Sequence, residues 1–314
     1  MKILVVGSSG FIARHFWHYW GGHHELISVG RSKPEFVRAV DHVELNLSRH
    51  IDVSKLPRKV DAVLYLAQSD AYRNFPDGAE DMFKVNVQSV FELLEYARKS
   101  EVSNFVFAST GSVYSESSEE LGEDDYAAPD SFYSASKLSA EALIRPYGSV
   151  LNTCIFRLFS PYGPGQTGKL MNIIADRIRS GQPVTLQGRE GGMLFSPTYV
   201  RDVVEILGRA IAENWSGVWN LANPHVVDMR EYATCLAGVL NSDVSFERDE
   251  SALAPKLVPS IDRLQAQLGA YRFTPLINGA STQQNWTGIF KPGEKVRLRL
   301  INSSATTYFD VRVP

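Results

Sequence analysis

Residues 2–13, KILVVGSSGFIA, run an apolar stretch straight into Gly7 and Gly10. That order is what a buried parallel strand entering a phosphate-binding turn requires. Gly7 can leave the strand sharply, and Gly10 lets backbone N–H groups approach a pyrophosphate. The helix expected over 11–20 aims its positive N-terminal end at the same anion, with Ser9, Phe11 and Ile12 at the turn. The third small position is Ala13. A glycine string alone is weak, because an ordinary strand–helix turn can carry one. Here it opens an alternation of strands and helices, which predicts an α/β doubly wound parallel sheet.

The alternation continues through 25–30 (ELISVG), 43–47 (VELNL) and 60–67 (VDAVLYLA), each read as a strand. Arg31 follows the second strand, where an acidic residue would grip an adenosine ribose. With Ser32 and Lys33 beside it, Arg31 suits a 2′-phosphate, so the expected cofactor is NADP before NAD; a solvated loop charge is the plainer reading. Asn46 and Leu47 end the third strand beside the adenine, and Leu66 and Ala67 end the fourth.

Residues 80–99 carry Phe83, Val87, Val90, Leu94 and Ala97 at helical spacing, interrupted by Asn86, which needs a hydrogen-bond partner if buried. A fifth strand at 104–109 (NFVFAS) leads into the hydroxyl-rich turn Ser109, Thr110, Gly111, Ser112. Residues 115–130 are acidic and read as an exposed loop. A helix follows with Asp130 or Ser131 as its N-cap, carrying Tyr133 and Lys137 at i, i+4. Residues 153–159 form a further strand before the punctuated SPYGPG turn. Helices are expected at 171–180, from a cap at Asp202 to 213, at 229–240 and at 261–268, and strands at 184–186, 198–200 and 218–222.

With 314 residues, 44% hydrophobic and 21% charged, the chain can bury a large core. A formal net charge of -3 gives no footprint for nucleic acid or an anionic membrane. The short apolar start lacks both the length of a membrane span and a signal layout, which implies a cytoplasmic protein. Cys154 and Cys235 lie in apolar settings and read as buried free thiols. His15, His18, His23 and His24 have no carboxylate or cysteine at ligand spacing, so no metal site is expected.

Taken together, GSSGFIA, ASTGSVY and YSASK, in that order, resemble the extended short-chain dehydrogenase/reductases, the NAD(P)-dependent epimerase/dehydratase group, over residues 1–273. The resemblance implies a Rossmann domain at 1–160, a mainly substrate-binding region at 161–273 with segments returning to the sheet, and a β-rich tail at 274–314. It implies a sugar or nucleotide-sugar epimerase or keto-sugar reductase. Tyr133 is then the acid/base, Lys137 holds the nicotinamide ribose, and Thr110 shares the substrate hydroxyl with Tyr133; Ser109 and Ser112 are adjacent alternatives. A lysine ammonium and a positive nicotinamide would favour the Tyr133 phenolate. Spacing alone equally allows a surface pair, with Lys137 bonded to Glu141. The family also implies a homodimer through the helices at 80–99 and 130–144.

Departures bear on the substrate. Ser160 stands where the family's FNxYGP pattern has Asn, and Phe195 where an Arg precedes the segment here read as SPTYVRD. Both usual residues help seat a diphosphate; Arg189, Arg201 and Lys256 are candidate substitutes. STGSVY lacks the Asp-Glu pair of the 4,6-dehydratases, which disfavours dehydration. A cofactor-binding sensor with no turnover is the rival function. Residues 277–314 resemble a cupredoxin fragment of a copper-resistance multicopper oxidase, with alternating strands at 295–301 and 308–313. Its apolar face, Val296, Leu298 and Leu300, needs something to dock on, and the tail holds neither His nor Cys.

Overall fold

The structure is a computed structural model that describes residues 1–37, 42–115, 117, 119–188, 190–251, 256–274, 276–277 and 280–281. Arg189 and the tail strands therefore lie outside the described residues.

Strand β1 (Lys2–Val6) sits mid-sheet because both its faces are apolar. Ile3 and Val5 enter one core and Leu4 and Val6 the other, all fully buried. Each such side chain contributes up to about 1.5–3 kcal/mol by leaving water. Helix α1 (Phe11–Trp20) leads to β2 (Glu25–Gly30), and β3 (His42–Glu44) and β4 (Ala62–Tyr65) follow. The third strand is shorter than its sequence suggests. Asn46 Oδ1 accepts the Ser48 N–H at 3.0 Å, an Asx turn that bends the chain after Glu44.

Residues 79–99 are helical throughout, as α2 (Ala79–Phe83), a π turn (Lys84–Gln88) and α3 (Ser89–Lys99). Asn86 lies in that π turn. Next come β5 (Asn104–Thr110), α4 (Phe132–Tyr147) with Ser131 as N-cap, and β6 (Asn152–Leu158).

Beyond β6 the chain leaves the sheet through β7 (Pro161–Tyr162), α5 (Leu170–Arg179), β8 (Val184–Gln187), β9 (Leu194–Phe195) and β10 (Thr198–Tyr199). It returns through α6 (Val200–Ala212) and β11 (Gly217–Leu221). A second excursion, β12 (Val227–Asp228), α7 (Met229–Leu240) and β13 (Phe246–Asp249), precedes α8 (Asp262–Leu268). The two excursions share a separate core that includes Ile174, Leu186, Phe195 and Ala233.

The main sheet has seven parallel strands in the order β11-β6-β5-β4-β1-β2-β3. It is a doubly wound Rossmann-like sheet. Phe16, Val203 and Leu207 cover one face, and Leu94, Ala140 and Ile144 the other. Parallel strands need such cover on both faces.

Three expectations need correction. Asp202 does not cap α6: it lies buried in the first turn and accepts bonds from Tyr271 Oη (2.9 Å) and Thr274 Oγ1 (2.7 Å). Its carboxyl is better used anchoring the chain at 271–274 than capping. Cys235 is exposed, because it falls on the outer side of α7; Cys154 is buried in β6. The 115–130 segment is only partly an exposed loop. Leu121 is buried and exchanges backbone bonds with Val258 and Ser260, and buried Glu123 accepts the Asn220 N–H at 2.9 Å. Glu123 thus serves the β11 edge of the sheet.

Candidate active site

Above the carboxyl ends of β1, β2, β4 and β5 lies a cavity of about 1100 Å³. This is where parallel sheets gather their ligands. Gly7, Ser9, Gly10, Phe11 and Ile12 line its floor, Arg31, Asn46 and Leu47 one end, and Leu66 and Ala67 the middle; Thr110, Tyr133 and Lys137 line the far end. The cofactor and catalytic residues singled out in the sequence thus share one cavity.

Gly7 has φ +82°, and a Cβ there would come within 2.7 Å of the Ala67 backbone, so both torsion and space demand glycine. Gly10 caps α1 without a side-chain bond, and the first turn of α1 carries no acidic residue. The N–H groups of that turn and the helix dipole suit a pyrophosphate. The cavity floor therefore fits a dinucleotide. At its end Arg31 pairs with Asp70 at 2.7 Å, both side chains being largely exposed.

At the far end the catalytic candidates converge. The Thr110 hydroxyl lies near the Tyr133 phenol, and the Tyr133 hydroxyl donates to Gln68 Oε1 at 3.1 Å. Lys137, buried, donates from Nζ to the Ala108 carbonyl at 2.7 Å and lies 4.5 Å from the centre of the Phe107 ring. The Glu141 carboxylate is engaged elsewhere: it takes the Ser109 hydroxyl at 2.5 Å and the Arg157 guanidinium. Ser109 also lines the cavity, but its hydroxyl is committed to Glu141, which leaves the Thr110 and Ser112 hydroxyls there.

The expected phenolate does not arise from the protein's own groups. Desolvation pushes the Tyr133 phenol up to about 12, and the Thr110 hydrogen bond only partly opposes it. Desolvation pulls Lys137 down to about 7, with the Glu141 charge acting the other way. Burial decides both groups, and only at Lys137 does a charge oppose it.

Asn86 has the partners its burial requires. Its Oδ1 accepts the Ser69 N–H at 3.1 Å and its Nδ2 donates to Ser136 Oγ at 2.9 Å; Ser136 Oγ donates to the Tyr133 carbonyl at 2.7 Å. The amide thus joins the loop after β4 to α4.

Sequence reading missed Gln68, Tyr72, Arg73 and Lys169, which also line the cavity. Lys169 Nζ donates to Tyr72 Oη at 2.9 Å, and the Tyr72 and Tyr133 rings lie 5.7 Å apart. No motif marks these residues, because two loops far apart in the chain bring them together. Arg201 instead stacks on Tyr19, and neither it nor Lys256 lines the cavity. Ser160 and Phe195 do line it. Among the described residues no group of His, Cys, Asp and Glu could hold a metal ion, and no helix is long and apolar enough to cross a membrane.

The family model for NAD dependent epimerase/dehydratase proteins matches residues 3–222. The chain belongs to the NAD dependent epimerase/dehydratase family. This epimerase/dehydratase chain is 27% identical to UDP-glucuronic acid decarboxylase 1 of Arabidopsis thaliana over 288 residues, covering 85% of the chain and 65% of that protein. It is 24% identical to Protein CapI of Staphylococcus aureus, over 91% of the chain and 98% of that protein. The structure of the Thermus thermophilus UDP-glucose 4-epimerase with NAD superimposes with a TM-score of 0.76 and 26% identity, over 89% of this chain and 96% of that one. The Bacillus cereus UDP-glucuronic acid 4-epimerase with UDP-glucuronic acid and NAD shares the fold at a TM-score of 0.76 and 22% identity, over 88% of this chain and 95% of that one. A separate likeness, 57% over 49 residues, is to Copper resistance protein A of Escherichia coli; it covers 16% of this chain and 8% of that protein.

Proposed function

We propose that this epimerase/dehydratase acts on a nucleotide sugar by hydride transfer at a secondary hydroxyl, as an epimerase or keto-sugar reductase. The observation that carries the reading is the meeting of Tyr133, Thr110 and Lys137 at one end of a dinucleotide-shaped cavity. A bound nicotinamide supplies the hydride acceptor or donor and, when oxidised, a positive charge that favours the phenolate. Tyr133 Oη takes or returns the hydroxyl proton, and Thr110 orients that hydroxyl. Lys137 holds the nicotinamide ribose. With Ser160 and Phe195 in place of the family's Asn and Arg, Arg73 and Lys169 on the cavity wall are the groups to receive the diphosphate. A sensor without turnover is disfavoured, since every member of the proton-transfer cluster is present.

The cofactor proposed is NADP, on Arg31, whose exposed pair with Asp70 a phosphate can displace. The division at 160 and 273 is proposed on the separate core of the two excursions. A homodimer is proposed through α2, α3 and α4, where Phe83, Phe91, Phe132 and Leu143 stay exposed at 51, 47, 36 and 37%. Turnover over a panel of nucleotide sugars, with Tyr133→Phe alongside, tests the reaction. The variant should lose about 100-fold or more in kcat; full activity would sink the mechanism. Hydride retained in the sugar marks an epimerase, and net cofactor oxidation a reductase.

A further inference from the structure

One buried charged cluster is not needed to bind either ligand. Glu141 and Arg157 are 0 and 1% exposed. Arg157 Nη2 donates to Glu141 Oε2 at 2.8 Å, and its Nε to both carboxylate oxygens at 3.2 Å. Its Nη1 reaches Tyr114 Oη at 2.5 Å and the Glu123 carbonyl at 3.2 Å. Arg145 touches the same carboxylate from the rim at 3.4 Å. Such a pair is a poor way to gain stability, because two charges leave water and apolar residues of similar volume often serve as well.

Its placement suggests another use. On α4, Tyr133, Lys137 and Glu141 recur every four residues and so form one ridge. Each meets the end of β5: Lys137 is bonded to the Ala108 carbonyl, Glu141 to Ser109 Oγ, and Tyr133 lies beside Thr110. Ser109 and Arg157 are paired in register on β5 and β6, so both strands present a donor to the same carboxylate. A slip of α4 by one residue, about 1.5 Å, would break both bonds and carry Tyr133 away from Thr110.

We infer that Glu141 and Arg157 are positioning residues that lock α4 to β5 and β6 in the register bringing Tyr133 to Thr110. The inference rests on the proposed hydride-transfer reading. The charged groups facing Lys137 are Glu141 on its own helix and, behind that carboxylate, Arg157 on β6. Of these, the Glu141 charge acts on Lys137 directly, so the test reads turnover and helix docking and does not rely on titration.

The test is the double variant Glu141→Leu/Arg157→Met, assayed with cofactor bound. Its melting temperature should stay near wild type, while kcat falls about 10- to 100-fold from misplacement with KM within about threefold. Unchanged kcat, or a rise in KM that accounts for the loss, overturns the inference. Should the double variant fail to fold, Ser109→Ala carries the test: kcat should fall several-fold with the fold intact, and unchanged kcat overturns it. Amide exchange over residues 132–137 probes the lock without turnover, faster exchange in the variant supporting it and unchanged exchange refuting it. A wild-type protein that turns over no sugar would refute the proposed reaction and leave that readout standing.

Discussion

Arg31→Ala should separate NADP from NAD. The Arg31 and Asp70 side chains are 70 and 84% exposed, so their 2.7 Å pair is worth at most about 1 kcal/mol. A 2′-phosphate bound to the guanidinium gains charge-assisted hydrogen bonds worth about 1.5–3 kcal/mol. Breaking the Asp70 pair offsets part of this, leaving a net of about 1–2 kcal/mol, or roughly 5- to 30-fold in Kd. Asp81, which also lines the cavity, opposes the phosphate and keeps the figure at the lower end. Isothermal titration should show NADP weakened by that factor in Arg31→Ala, with NAD within about threefold. Asp70→Ala should act oppositely, tightening NADP by removing the competitor. Added salt should shrink the difference, since the site is open to solvent. Equal losses for both cofactors, or tighter NAD in the wild type, would refute the reasoning.

Other outcomes follow from burial. Burial lowers the folded-state Lys137 pKa to about 7, well under its unfolded value. The unfolded chain therefore binds more protons above pH 7, and stability relative to Lys137→Met should rise from pH 7 towards about 10; a flat difference in thermal midpoint contradicts this. Phe91→Glu should convert a homodimer to monomer in light scattering, whereas a wild type that is monomeric at every concentration removes the dimer. Truncation after Phe273 strips Thr274 from buried Asp202, which loses bonds from its N–H (3.0 Å) and hydroxyl (2.7 Å). It should cost about 1–3 kcal/mol in denaturant unfolding and leave cofactor affinity within a few-fold; loss of cofactor binding in a folded truncation would overturn it.

The sheet and cofactor floor are readable in the sequence because their signals are local. Apolar runs end at Gly7, Gly30 and Ala67, and a buried parallel strand writes itself as such a run. Helices α1 and α7 match the expected 11–20 and 229–240 for the same reason, since each carries an apolar stripe at helical spacing. What escapes depends on distant parts of the chain. Asp202 has the look of a helix cap until Thr274 claims it, and Lys169 meets Tyr72 only because the fold closes two loops over one cavity. Spacing sets the Tyr133 phenol beside a charged neighbour, whereas its titration is governed by loss of water, which spacing does not encode.

The second core is built from excursions that leave the sheet after β6 and β11, strands that are themselves neighbours. Neither excursion interrupts β1 to β5, where the dinucleotide floor and Thr110 reside. On the proposed reading, the part of the sugar-facing wall that the first excursion supplies is therefore an interchangeable fitting on a fixed chassis. On that reading, residues 159–199, which line the cavity, can be recast for a new sugar with 222–249 as their support in the shared core, and grafting both segments together is the natural unit for redirecting specificity.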